Sequence, residues 1–185
     1  MIDVNQLRRG ANFTLDGELY KVSEYDHRKP GRGKATIRVK VKNLRSGSNT
    51  EMTFNSGDRV EDIRLEKRDV QYLYFDDRFY VFMDTETYEQ TFVGAAVFGE
   101  DAAYLKESLE LELLRYGEEV LDYMFPASID YEVVDSEMAV AGDTVSGATK
   151  TVVTETGMKV KTPLFINTGD RIKVNTSTGE YITRV

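Results

Sequence analysis

The chain has 185 residues with 41% hydrophobic, 11% aromatic and 30% charged side chains, and a formal net charge of −8. That balance argues for folded structure rather than wholesale disorder, and the length admits one domain or two to three small ones. There is no cysteine and a single histidine, His27. This excludes disulfides, thiolate metal sites, a histidine zinc cluster and cysteine nucleophiles, and leaves almost no histidine general-base chemistry, so a conventional hydrolase is disfavoured. No apolar run approaches the roughly 18 residues of a membrane span, and "MIDVNQLRRGANF" lacks a basic stretch followed by an apolar core. The expectation is a cytoplasmic chain with no membrane partner.

Charge is segregated along the chain. Residues 1–64 carry a net +4, residues 65–126 a net −10 and residues 127–185 a net −2. A basic head is thus followed by an acidic middle and a mildly acidic tail.

In the head, "ANFTLDGELYKVSEYDH" sets the hairpin dipeptide Asp16-Gly17 between two strand-like runs. "ATIRVKVKNL" then alternates strictly, with Ile37, Val39 and Val41 on one face and Arg38, Lys40 and Lys42 on the other. A turn at Ser46-Gly47-Ser48 leads into "TEMTFNSGDRV", which predicts a small antiparallel barrel or sheet. The middle opens on "VQYLYFDDRFYVFMD", two aromatic-rich strands around Asp76-Asp77. "GEDAAYLKESL" predicts a short helix with Ala102, Leu105 and Leu109 on one face, and "LELELLRYGEEVLDYM" a hairpin turning at Gly117. Pro126 precedes a fresh strand, "SIDYEVVD", and the tail continues as β-branched strands spaced near ten residues, which suggests another barrel. The similarity of "NSGDRVEDI" to "NTGDRIKVN" reads as two turns leading into strands, both favouring Gly-Asp, rather than as an internal repeat.

From His27 to Thr50 the chain places eight Lys or Arg residues and no carboxylate. Pro30-Gly31 suits the central positions of a type II turn, with proline presetting φ and glycine taking the positive φ. Arg32 is then held at the apex between Gly31 and Gly33. A mobile, solvated hairpin is one reading. A polyanion-binding face is the other, and an acidic protein gains no solubility by concentrating positive charge on one hairpin. Arg38, Lys40 and Lys42 extend the surface as cations able to follow a phosphate backbone by charge, or as a solvated strand face. The acidic pairs Asp76-Asp77, Glu118-Glu119 and Glu110/Glu112 read as turns and solvated strands, not as a glycosidase pair facing across a cleft. "GRGK" lacks the spacing of a phosphate loop and precedes a strand.

These residues together resemble the bacterial elongation factor P family over essentially the whole chain. The resemblance rests on "LRRGANFTLDGELYKVSEYDHRKPGRGKATIRVKVKNLRSGSNTEMTFNSGDRVED", "VQYLYFDDRFYVFMDTETYEQ" and "GDTVSGATKTVVTETGMKVKTPLFINTGDRIKVNTSTGEY". It implies an all-β fold of three small β-barrels in an L-shaped arrangement. A KOW-type barrel (1–64) is followed by two OB-fold barrels (65–126 and 127–185), with one short helix in the middle domain. It further implies a non-enzymatic, cofactor-free and metal-free translation factor, expected to be a monomer. Such a factor binds the ribosome between the P and E tRNA sites and speeds peptide-bond formation at stalls such as consecutive prolines by positioning peptidyl-tRNA.

The family pattern Pro-Gly-(Lys or Arg)-Gly puts the apex residue, which points toward the peptidyl-transferase centre and is often enzymatically extended, at Arg32. Pro30, Gly31, Gly33 and Lys34 support it, and Lys29, Arg38, Lys40 and Lys42 contact RNA. A modifying enzyme acting on Arg32 is an implied partner, whereas lysine-specific modification at the apex is excluded. Gly142, Asp143 and Thr144 match the loop near the exit-site codon of the mRNA, and Tyr181 and Arg184 the C-terminal contact. Thr151 stands where the family usually has proline, and Thr162 where it usually has valine or isoleucine. Two other readings are a specialised paralogue of the same factor and a generic OB-fold RNA binder. The second would use Tyr72, Tyr74 and Phe75 as a stacking platform, against a barrel-core role for the same aromatics.

Overall fold

The computed structural model describes residues 1–29, 31–138 and 147–185. The packing divides into two compact units, Met1–Lys67 with Leu114–Asp122 and Arg68–Leu113 with Tyr123–Val185.

The head begins with β1 (Ile2–Asp3), a single 3-10 turn at Val4–Gln6, β2 (Asn12–Leu15) and β3 (Glu18–Arg28). It continues with β4 (Thr36–Asn43), β5 (Asn49–Asn55) and β6 (Arg59–Asp62). These form one curled, antiparallel sheet in the order β1-β6-β2-β3-β4-β5. Asp16 (φ 52°) and Gly17 (φ 81°) both take positive φ between β2 and β3, the conformation a two-residue I′ hairpin needs. The alternation expected of β4 is present: Ile37, Val39 and Val41 are fully buried against Val4, Leu7, Phe13, Val22 and Val60. A second cluster joins Leu19, Leu44 and Leu121, with Ile63 and Leu65 packed against it. Beside it Lys21 Nζ meets Asp122 Oδ2 at 2.5 Å, and Arg45 Nε meets Glu119 Oε1 at 3.2 Å.

The middle strands are β7 (Glu66–Phe75), β8 (Phe79–Asp84), β9 (Gln90–Gly94), β10 (Glu110–Tyr116) and β11 (Glu119–Met124), in the order β11-β10-β7-β8-β9. The expected hairpin turns at Gly117, φ 62°. The expected helix differs in place and type. The α-helix, α1, is only Ala95–Phe98, and Gly99–Tyr104 is 3-10. Gly99, with φ 52° and ψ −128°, stops α1, and its N–H bonds back to the Ala95 carbonyl. Leu105 and Leu109 are buried, but beyond the helix rather than on its face. Phe98 instead anchors the segment, stacking on Phe82 and Tyr123 with centroids 5.5 and 4.4 Å away.

The tail strands are β12 (Ser128–Ser136), β13 (Thr149–Thr154), β14 (Lys159–Pro163), β15 (Arg171–Asn175) and β16 (Tyr181–Arg184), in the order β14-β13-β12-β15-β16. Their core holds Ile129, Tyr131, Val133, Val152, Val160, Ile166, Ile172 and Val174, all under 5% exposed. Tyr131 donates its phenol hydrogen bond to the Tyr104 carbonyl at 2.6 Å.

The two similar segments fold into the same turn. Asn55 N–H donates to Asp58 Oδ2 and Asn167 N–H to Asp170 Oδ2, both at 2.8 Å. Asp58 and Asp170 N–H return 3.0 Å bonds to the Asn55 and Asn167 carbonyls, and Gly57 and Gly169 have φ of 97° and 94°.

Candidate nucleic-acid interface

The basic hairpin is built from β3 and β4, which pair antiparallel from Tyr20↔Asn43 to Arg28↔Thr36 with a bulge between Val22 and Glu24. Because the inward row of β4 is fully buried, its outward row is held at fixed spacing, and the connecting loop is carried at the end of an anchored ladder.

In that loop Lys29, Gly31, Arg32, Gly33 and Lys34 are exposed. No described residue bonds to or pairs with Lys29, Arg32 or Lys34. Among the described loop residues the left-handed one is Gly33, φ 114°, and not Gly31, where the sequence reading put the positive φ. Pro30 lies outside the described residues. A Cβ at either glycine would meet nothing within 4 Å, so the backbone beside Arg32 is bare on both sides.

Behind the tip, the uninterrupted basic row read from the sequence is interleaved with acid supplied by the neighbouring strands. The Lys40 backbone is registered with Glu24 on β3 and with Glu51 on β5, and its Nζ lies 2.8 Å from Glu24 Oε2. Arg38 is registered with Asp26, and its Nε sits 3.2 Å from Glu51 Oε1 without the alignment of a hydrogen bond. Arg28 Nε donates to Asp26 Oδ2 at 2.8 Å. Donating to the carboxylates of Glu24 and Asp26 raises the pKa values of Lys40 and Arg28 above their ordinary values. Lys42 faces Lys21 and Asn49 across the ladders and has no ion pair among the described residues. Arg28, Arg38 and Lys40 therefore form a compensated band, with unpaired cations at the tip and at Lys42. Sequence reading missed Glu24, Asp26 and Glu51 because they lie outside the basic stretch. Counting ladder positions outward from Arg32 would have found the first two, since Glu24↔Lys40 and Asp26↔Arg38 are symmetric about it.

The remaining candidates belong to other segments of the chain. Tyr181 and Arg184 are on β16, and Arg184 Cζ lies 5.6 Å from the Phe165 ring centroid, in cation-π contact. Gly142, Asp143 and Thr144 lie outside the described residues. The three aromatics weighed as a stacking platform are divided: Tyr72 is core, 9% exposed, while Tyr74 and Phe75 are 49% and 43% exposed beyond a bulge. Among the described residues no group of three or more His, Cys, Asp or Glu is placed to hold a metal, and no helix is long and apolar enough to cross a membrane.

Comparison with known proteins agrees along the whole chain. The family model "Elongation factor P (EF-P) KOW-like domain" matches residues 3–60, "Elongation factor P (EF-P) OB domain" residues 65–123 and "Elongation factor P, C-terminal" residues 129–184. Elongation factor P of Pelotomaculum thermopropionicum is 42% identical over 185 residues, and that of Rippkaea orientalis 43% over 184, each match covering 100% of both chains. Among solved structures, eukaryotic translation initiation factor 5A from Methanococcus jannaschii shares the fold, with a TM-score of 0.54 and 23% identity, covering 68% of this chain and 90% of its own. The chain belongs to the elongation factor P family of translation elongation factors.

Proposed function

We propose that the chain binds the ribosome between the P and E tRNA sites and stimulates peptide-bond formation at stalled sequences, consecutive prolines among them, by positioning peptidyl-tRNA. The observation that carries this reading is Arg32: an exposed guanidinium with no partner among the described residues, at the end of a hairpin anchored by the fully buried Ile37, Val39 and Val41 of β4. An arginine stays protonated and serves poorly as a base, but it can fix a phosphate or carbonyl by directional hydrogen bonds. Holding a reactant in place lowers the entropic part of a barrier without a chemical step by the factor itself, so the role is not that of an enzyme.

In this reading Pro30, Gly31, Gly33 and Lys34 support the apex, and Lys29, Arg38, Lys40 and Lys42 run along tRNA or ribosomal RNA phosphates. Gly142, Asp143 and Thr144 meet the exit-site codon, and Tyr181 and Arg184 make the C-terminal contact. Arg32 is also the position an enzyme would extend, and the factor acts as a monomer in the cytoplasm. The division into working parts at 1–64, 65–126 and 127–185 is supported by the sheets, since the strands of each sheet fall within one of these ranges.

The test is Arg32→Ala in cells lacking the native protein. The variant should melt as the wild type does, yet fail to restore synthesis through a Pro-Pro-Pro reporter. Normal rescue would remove the apex mechanism. Tight binding to free single-stranded RNA, with indifference to proline runs, would favour a generic RNA binder instead.

A further inference from the structure

The compensated band on β4 invites the question of what its carboxylates do. Each ion pair there is about half exposed: the side chains of Arg38 and Glu51 are 43% and 45% accessible, those of Lys40 and Glu24 54% and 66%. Exposed pairs of this kind contribute only about 0–1 kcal/mol each to folding. Stability is thus a weak reason to place acids on a face whose tip is unpaired and basic. The geometry does more to electrostatics at a distance. Opposite charges about 3 Å apart act as a dipole beyond the Debye length of roughly 8–10 Å, so the band attracts a distant phosphate far less than Lys29, Arg32, Lys34 and Lys42 do.

We propose that Glu24, Asp26 and Glu51 are specificity-determining residues that hold Lys40, Arg28 and Arg38, respectively, in internal ion pairs. The head then engages RNA strongly only where phosphates arrive at the spacing needed to replace those pairs together. The proposal rests on the reading that this face meets tRNA or ribosomal RNA. On an arbitrary duplex, the unpaired cations find phosphates while the band remains closed on its own acids, so fewer counterions are released and affinity stays low. On the matching surface, the band opens. The carboxylates cost affinity everywhere, but proportionally more where the fit is poor, which is how discrimination arises.

The experiment uses the full chain and a short RNA duplex of arbitrary sequence as the probe, with fluorescence anisotropy at about 0.1 and 0.2 M KCl. Glu24→Gln with Glu51→Gln should bind the duplex roughly tenfold tighter than wild type and steepen the salt dependence by about two phosphate contacts. Adding Lys40→Ala to that variant should remove most of the gain. The control is Glu86→Gln with Glu89→Gln, which removes the same charge from the exposed turn between β8 and β9. It should change affinity by less than about twofold. Equal gains in the two double variants would reduce the effect to net charge and overturn the proposal, as would no gain in the first. A circular-dichroism melt checks folding, and since these pairs are exposed the double variant should melt within about 3 °C of wild type. The outcome is separable from that of the apex test: normal rescue by Arg32→Ala removes the apex mechanism without touching the duplex result. A flat duplex response beside defective rescue removes only the proposal about Glu24 and Glu51.

Discussion

Arg28 and Thr36 are the last registered pair of the β3–β4 ladder, and beyond it Ser56 N–H donates to the Ala35 carbonyl at 2.9 Å. Among the described residues nothing else ties Lys29, Gly31, Arg32, Gly33 or Lys34 to the sheet. Gly33, at φ 114°, occupies a region that costs an L-residue about 1–3 kcal/mol, whereas Gly31 does not take a left-handed φ. Gly33→Ala should redirect Arg32 and reduce Pro-Pro-Pro reporter rescue severalfold, although Arg32 is untouched and the melting temperature falls by no more than about 3 °C. Gly31→Ala should be the milder change. Equal reporter activity in the two variants would show that the loop's backbone path has no bearing on function.

Tyr131 gives a pH-dependent expectation. The ring is fully buried and its hydroxyl donates to the Tyr104 carbonyl, and burial pushes the phenol well above the ordinary tyrosine value. Tyr72 and Tyr104 are raised for the same reason. The folded-state pKa lies above the unfolded value of about 10, so the neutral phenols stabilise the fold fully below that pH. This contribution is lost as pH rises further. The denaturant midpoint should fall as pH rises above about 10, and Tyr131→Phe should flatten that fall without abolishing it. At neutral pH the same variant leaves the Tyr104 carbonyl without its donor and should cost about 1–2 kcal/mol. A midpoint independent of pH across that range would contradict the assignment.

Local signals carried most of the fold. β4 was legible because strict alternation over Ile37, Val39 and Val41 fits only a half-buried strand, and the Asp16, Asp77 and Gly117 turns because positive φ has few residue solutions. What escaped depends on pairing between distant segments or on backbone detail. The helix was displaced because apolar residues at 102, 105 and 109 mimic its period, while Gly99 and the packing of Phe98 decide where it stops. The carboxylates beside Lys40 come from strands on either side of it, and one register step would have sent Glu24 and Glu51 elsewhere. Which glycine beside Arg32 takes the positive φ was not legible, since Gly31 and Gly33 are equally permissive in sequence.

The paired turns at Asp58 and Asp170 permit a matched test. Each carboxylate accepts the N–H of an asparagine three residues earlier, and each Asp carbonyl accepts the N–H of a core valine, Val4 at 2.9 Å and Val133 at 2.8 Å. Losing the carboxylate should loosen the approach to β6 in one case and to β15 in the other. Asp58→Ala and Asp170→Ala should each lower the melting temperature by about 2–4 °C, with effects that add in the double variant because the sites share no partner. Scanning calorimetry measures all three. A large loss for one and none for the other would mean that the common geometry does not carry a common energy.

Thr162 and Lys150 face each other across β13 and β14, 1% and 7% exposed, and Lys150 Nζ reaches Asn167 Oδ1 at 3.4 Å. The Thr162 hydroxyl has no hydrogen-bond partner among the described residues, so burial strips it of water without a bond from them in return. Valine has nearly the same shape and β-branching, keeps the strand preference and removes the stranded oxygen. Thr162→Val should therefore stabilise the chain by about 1 kcal/mol, which chemical denaturation resolves as a higher midpoint at unchanged slope. Thr162→Ser keeps the hydroxyl and deletes a buried methyl, so it should destabilise by a similar amount. If valine instead destabilises the fold, the hydroxyl has a partner in solution, and its place opposite Lys150 is where that partner should be sought.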